Sequence, residues 1–312
     1  MRQEWFALFV IGAFASIMLA GVASGLIGYD GADLNMVFAL FTGLWAVGHL
    51  AQGVQARLLP DLCKLIAIFF LLALTAPLAG AVLAETGSPL VDTRLAQADT
   101  WLIPGFSWPA MAHCLNHYPR LMAALSYAYV SLGWQPLLLI TLLCLLDRAR
   151  HGWSFLSAWA GTLLLTMASF PLLPAVGAYA HFGILRATMP TVLCGSAWHY
   201  PLTLLRLRDG TINMLGPDAL EGIVTMPSFH AASAVLLAWG YAKIPFMRWP
   251  FLALNIVMWL SAIPIGGHYL VDIAAGTAIA LGAIIAVERH ARRTGTALLP
   301  TDHRLHATQC PG

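Results

Sequence analysis

Eight stretches of the chain are apolar for long enough, and free enough of interior charge, to cross a hydrocarbon core about 30 Å thick, for which a helix needs about 20 residues. They run roughly over 5–28, 36–54, 62–83, 121–146, 153–173, 228–242, 251–265 and 269–287. Polar residues gather between them in two long connections, 84–120 and 174–227, and in a tail, 291–312, polar enough to be disordered. The first run, about 24 residues, exceeds the 7 to 15 of a signal peptide's apolar segment and is kept as a span. The pattern predicts an all-α fold, a polytopic transmembrane helix bundle of about eight spans. Two N-terminal transmembrane helices occupy 1–60, a helix bundle with both long connections occupies 61–290, and a cytoplasmic tail follows.

Composition sharpens this. With 59% hydrophobic and only 10% charged residues, against about 25% charged in an ordinary soluble domain, a soluble single-domain enzyme is excluded. The net charge of +2 offers no basic stripe, which sets nucleic acid aside as a partner. The five cysteines lie far apart, without the spacing of a disulfide framework or zinc site. If the spans alternate sides, Arg2, Arg57, Lys64, Arg148, Arg150, Lys243, Arg248, Arg289, Arg292, Arg293 and Arg304 share one side, in short turns or tails. Only Arg94, Arg120, Arg186, Arg206 and Arg208 fall opposite, spread over the long connections. Basic short connections mark the cytoplasmic face, so the long connections face outward.

Two stretches on that outer side carry candidate chemistry. Met226-Pro227-Ser228-Phe229-His230-Ala231-Ala232 opens the sixth run, and Gly266-Gly267-His268-Tyr269-Leu270-Val271-Asp272 opens the eighth. Proline at a first helical position followed by serine reads as a helix start. Its free N–H groups and dipole favour an anion, which makes Ser228 a candidate phosphate contact. His268 and Asp272, four residues apart, fall on one face of a helix. A carboxylate on one ring nitrogen fixes the tautomer and leaves the other nitrogen as nucleophile or base. Span six descends from His230, span seven returns and span eight begins at His268, so both imidazoles reach one depth on one side.

P-S-x-H followed by G-G-H-Y-x-x-D-x-x-x-G resembles the type 2 phosphatidic acid phosphatase (PAP2) superfamily, and within it the branch of inositol phosphorylceramide synthases and their bacterial relatives. The resemblance runs from Arg206 to Ala280, with a weaker echo from Val91-Asp92-Thr93-Arg94 to Pro109. It implies a PAP2-like six-helix core and a membrane lipid phosphatase or phosphotransferase acting on a lipid phosphate ester. His268 would attack phosphorus to form a phosphohistidine, Asp272 would orient it, and His230 would protonate the leaving alcohol, with no metal and no cofactor. The expected setting is the inner (plasma) membrane of a bacterium, with the bilayer and a lipid phosphate as partners and the active site on the extracytoplasmic side. Phe229 stands where the family has glycine, Ser261-Ala262 replaces its Ser-Arg, and its lysine-containing first motif has no match. A transferring phosphoryl group still calls for positive donors. Arg208 is the first candidate, then Arg206, with Arg186 in the same long connection. The acceptor, water or another alcohol, is open, and so is a rival of another class: a catalytically inactive transporter or scaffold that binds a lipid head group.

Other polar residues read as structural. His49, His113, His117, His151, His181 and His199 are interfacial. Asp92 and Asp99, seven apart, lie on one face of a surface helix opposite Leu90, Leu95 and Trp101, a pattern of an amphipathic element lying on the membrane as a lid or lipid-entry element. The small residues Ala231, Ala232, Ser233 and Ala234, with Ala274, Ala275 and Gly276, allow helices to approach closely.

Overall fold

A computed structural model describes residues 2–53, 58–216, 220 and 222–294. The chain is all-α, as its apolar runs predict. The helices are α1 (Arg2–Ala23), α2 (Gly31–Leu50), α3 (Leu58–Ala84), α4 (Asp92–Leu102), α5 (Trp108–Asn116), α6 (Pro119–Val130), α7 (Gln135–Leu145), α8 (Ala149–Ser169), α9 (Ala178–His181), α10 (Ser196–Arg208), α11 (Phe229–Tyr241), α12 (Arg248–Ser261) and α13 (Leu270–Arg293). One two-residue parallel ladder, β1 (Gly28–Tyr29) with β2 (Met214–Leu215), ties the turn after α1 to the connection after α10.

Five helices, within α1, α2, α3, α8 and α13, are long and apolar enough to cross a membrane by themselves. A sixth crossing arises if α6, a short 3₁₀ turn at Ser131–Gly133 and α7 count as one span bent by 55°. The bend has a local cause: Pro136 in the first turn of α7 cannot donate to the preceding turn, and a helix kinks where that bond is missing. The expected sixth and seventh spans are shorter than the sequence pattern suggests, since α11 has 13 residues and α12 has 14. The apolar composition of those runs continues into their flanking turns, where the helical hydrogen bonding stops. α13 continues to Arg293, into the segment read as tail. The tail from 295 on, the span end at Val54 and the basic residue Arg57 lie outside the described residues.

The bundle buries two large apolar clusters. One joins α1, α3, α7, α8, α11 and α12 along the spans, with Phe14, Leu72, Phe155, Trp159 and Leu237 among its members. The other lies at one end of the bundle, where α4, α5, α9 and α10 cover it, and is rich in aromatic residues including Trp108, Tyr129, Tyr179, Tyr200 and Tyr269. At the opposite end of α1, buried Glu4 accepts from Trp45 Nε1 (3.1 Å), meets His49 Nε2 at 2.9 Å and Lys64 Nζ at 3.6 Å. Those partners satisfy a charge that would otherwise be costly in a span.

In the element read as a membrane-surface lid, the acids and Leu95 share one face instead of opposing each other. In α4 the buried residues are Asp92, Leu95 and Asp99, while Trp101 is 86% exposed. The acidic face therefore points inward, because its carboxylates find backbone donors there that the bilayer surface could not supply.

Candidate active site

The two histidines arrive at one cavity from the starts of two helices. α11 begins at Ser228, whose Oγ accepts from the Ala231 N–H at 3.2 Å. Pro227 thus precedes the cap, two positions earlier than the first helical position at which the sequence reading placed it, and His230 falls in the first turn. α13 begins after Tyr269, so His268 lies just outside the helix and does not share its face with Asp272 by helical spacing. The pair meets by another route. Asp272 folds back over the helix start, its Oδ2 accepting from the Tyr269 N–H at 2.9 Å and standing 3.4 Å from His268 Nδ1. That separation is long for a hydrogen bond, and catalytic contacts commonly tighten only once substrate is bound. Both side chains are buried, and Nδ1 faces the carboxylate, which leaves Nε2 as the free ring nitrogen.

The two helix starts are joined directly. The Ser228 N–H donates to the Asp272 carbonyl at 3.0 Å. Gly276, one turn further along α13, lies so close to Ser228 that a β-carbon there would overlap the Ser228 carbonyl oxygen. The small-residue stripe therefore serves close packing, and this contact brings His230 and His268 to the same level.

A cavity of about 350 Å³ receives both imidazoles, with Tyr129, Val130, Cys194, Ser196 and Tyr200 among its other walls. The Tyr129 ring stacks on His230, with centroids 3.9 Å apart and planes 7° from parallel. No arginine or lysine lines the cavity among the described residues. Arg208 reaches instead to the Ser88 carbonyl at the foot of the α3–α4 connection, and Arg206 is exposed at the end of α10. Arg186 comes nearest to the walls: its guanidinium packs on Gly195, Nη1 lying 2.5 Å from where a β-carbon would be, between the cavity residues Cys194 and Ser196. Ser228 is fully buried, with its hydroxyl engaged in the cap.

The loop that carries His268 is clamped from outside the spans. Its carbonyls at Pro264, Gly266, Gly267 and His268 accept from Tyr179 Oη (2.6 Å), Tyr200 Oη (3.2 Å), Ala178 N (2.8 Å) and Trp108 Nε1 (3.0 Å). Burial pushes the Tyr179 and Tyr200 hydroxyls well above the ordinary phenol range, which keeps them as donors. Asp99 accepts from the Leu270 and Val271 N–H groups at 2.9 and 3.0 Å, so it caps α13 from another helix. Burial nevertheless holds its carboxyl above the usual aspartate range, against those two hydrogen bonds. Asp92 takes the Tyr269 hydroxyl (3.0 Å) and the N–H groups of Val176 and Gly177.

Sequence reasoning found the histidines and Asp272 but missed Tyr129 and the clamp. The signal for α4 was present, since Asp92, Leu95 and Asp99 follow the i, i+3, i+7 spacing of one buried stripe. Tyr129 sits in a run read only as a span, and nothing in its spacing sets it apart. The sequence profile of the PAP2 superfamily matches residues 93–286, a segment that begins in α4 and ends in α13. No curated protein sequence and no solved structure matches the chain.

Proposed function

This chain belongs to the PAP2 superfamily, and from that premise we propose that it is a membrane enzyme that cleaves or transfers the phosphate ester of a lipid through a phosphohistidine on His268. Family membership supports phosphatase or phosphotransferase activity on phosphate esters in general, and the apolar helices fit an integral membrane protein. The finer reading rests on one observation: His230 and His268 line a single cavity, with buried Asp272 behind one of them.

In this reading Asp272 holds the proton on Nδ1 and Nε2 attacks phosphorus. The phosphorus–oxygen bond to the lipid alcohol breaks, and that oxygen takes its proton from His230. Water or a second alcohol then gives its proton back to His230 as it attacks the phosphohistidine, releasing phosphate or a new ester and restoring His268. The N–H groups at the start of α11 and the Arg186 guanidinium are the positive donors offered to the phosphoryl oxygens. Arg206 and Arg208 rank after it. The mechanism calls for no metal or other cofactor. The distribution of basic residues favours an extracytoplasmic site, in the inner membrane if the source is bacterial, and the sequence motifs favour the inositol phosphorylceramide synthase-like branch.

The test is purified protein incubated with phosphatidic acid or a phospholipid labelled at phosphorus, with and without a polyol or ceramide acceptor. Acid-labile, alkali-stable label on the protein that disappears in His268→Ala is expected, and His230→Ala should slow turnover by about 10² to 10⁴. Free phosphate identifies a hydrolase, and a labelled new lipid identifies a transferase. Full activity in His268→Ala would remove the nucleophile. The lack of lysine or arginine in the cavity among the described residues favours one rival, a head-group binder without turnover. Tight phosphate-ester binding, with no label transferred and no change in His268→Ala, would establish it.

A further inference from the structure

The two imidazoles of the cavity are held in different ways. His268 has the Asp272 carboxylate behind Nδ1. Among the described residues no hydrogen bond reaches either ring nitrogen of His230, and the ring that meets it is Tyr129, with centroids 3.9 Å apart and planes 7° from parallel. The torsion that turns an imidazole is broad and roughly two-fold when nothing restrains it. A parallel ring at contact distance removes that freedom and leaves both nitrogens open.

Tyr129 touches the other half of the site as well. Gly266, two residues before His268, lies against the edge of the Tyr129 ring: a β-carbon there would sit 2.9 Å from Tyr129 Cε2 and 2.9 Å from His268 Cδ2. The Tyr129 hydroxyl lies by Ser196 in the cavity wall. Only 6% of the residue is exposed, so the ring has no room to swing away. Tyr129 belongs to α6, which carries neither histidine, and it is wedged between His230 and the loop of His268.

We propose that Tyr129 is a positioning residue, holding the plane of the His230 imidazole so that a ring nitrogen and its proton face the ester oxygen beside His268. The proposal rests on the site reading above. There, the phosphorus–oxygen bond breaks with its electron pair on the leaving oxygen, which takes the His230 proton, and the attacking water or alcohol later returns one. A stacked ring suits this double duty. A carboxylate would occupy one nitrogen, whereas an aromatic face fixes the plane and leaves the nitrogens to the substrate.

The experiment has two readouts on the full chain in phosphatidylcholine nanodiscs. The first is turnover of phosphatidic acid and of p-nitrophenyl phosphate, side by side on each preparation. An alkoxide needs a proton in order to leave and nitrophenolate does not, so the ratio of the two rates reports the acid, and any loss of folded protein cancels. Tyr129→Leu should lower the rate on phosphatidic acid about 10²-fold more than the rate on p-nitrophenyl phosphate, the loss that a misplacement near 1 Å brings. Tyr129→Phe, which keeps the stack, should keep the wild-type ratio, and His230→Ala should show the skew in full. Equal losses on both substrates in Tyr129→Leu, with the skew present in His230→Ala, would overturn the positioning role and leave the catalytic reading standing. No skew in His230→Ala would overturn the acid role, and that of Tyr129 with it. The second readout needs no turnover. In carbon–proton spectra of histidine-labelled protein, the His230 ring protons, identified by their loss in His230→Ala, should be shielded by the Tyr129 face. They should stay so in Tyr129→Phe and move downfield in Tyr129→Leu. Ring protons that do not move in Tyr129→Leu would overturn the proposal by themselves.

Discussion

The two helices that carry the site begin in opposite ways. α11 caps itself with Ser228, and among the described residues no carboxylate accepts from its first turn. At α13, Asp99 takes the N–H groups of Leu270 and Val271 and Asp272 takes that of Tyr269. Each helix start has the same free donors and the same positive dipole end. At α13 they are spent on protein acids, which hold His268 in place and let two carboxylates stay buried. At α11 the Ser228 hydroxyl takes the Ala231 N–H and the Asp272 carbonyl takes that of Ser228, and the N–H groups of Phe229 and His230 are the ones offered to an anion. In the proposed mechanism the two similar motifs divide the work, one helix end fixing His268 and the other offered to its target.

The contrast depends on the two starts touching, so the largest expected effect comes from prising them apart. Gly276→Val would push a side chain into the Ser228 carbonyl. Overpacking of this kind costs about 1–3 kcal/mol, and a misplacement near 1 Å costs about 10² in rate. Thermal unfolding in detergent should fall and phosphate-ester turnover should drop by at least that factor. A variant with wild-type turnover would show that the Ser228–Gly276 contact does not set the register of the histidines.

Legibility followed the same division. The candidate catalytic residues stood out because imidazoles and a carboxylate beside apolar runs need a reason to be there, and alternation of the spans put them on one side. The bundle as a whole was readable because 20-residue apolar runs have few other uses. The scaffold around His268 was not, because its bonds go to main-chain carbonyls and amides, and no side-chain pattern records which distant N–H a given aspartate will meet. Asp99 lies far from Leu270 in sequence, and its inward orientation was decided by the tertiary fold. The surroundings of the candidate arginines were hidden for a similar reason. Arg208 had the right loop and the right side, but the Ser88 carbonyl engages it, while Arg186 reaches the cavity wall through Gly195.

A middle-sized effect separates the two caps. Asp99→Ala leaves two amides of α13 without their partner, a loss of about 1–3 kcal/mol for a buried donor. Ser228→Ala removes one ordinary cap, worth about 1 kcal/mol. Unfolding temperatures should therefore fall more in the Asp99 variant. Steady-state kinetics should rank them the other way in KM, because Ser228 belongs to the end left for the phosphate. An Asp99→Ala protein that raised KM while keeping its unfolding temperature would erase the distinction.

The smallest effect is a slope. Burial raises the Asp99 carboxyl above its ordinary range more than the Leu270 and Val271 amides lower it. The folded chain then holds that proton more tightly than the unfolded chain. The stability so gained is fully present below the unfolded value and is lost as pH rises through the folded one. Asp99→Asn keeps a carbonyl acceptor and cannot titrate, so the wild-type advantage in unfolding temperature over this variant should shrink as pH rises across and just above the carboxylate range. An advantage that grew with pH would carry the opposite meaning. The donors and dipole of α13 would then outweigh burial and hold a charge there at a net gain, and the end of α13 would be as fit for an anion as the end of α11.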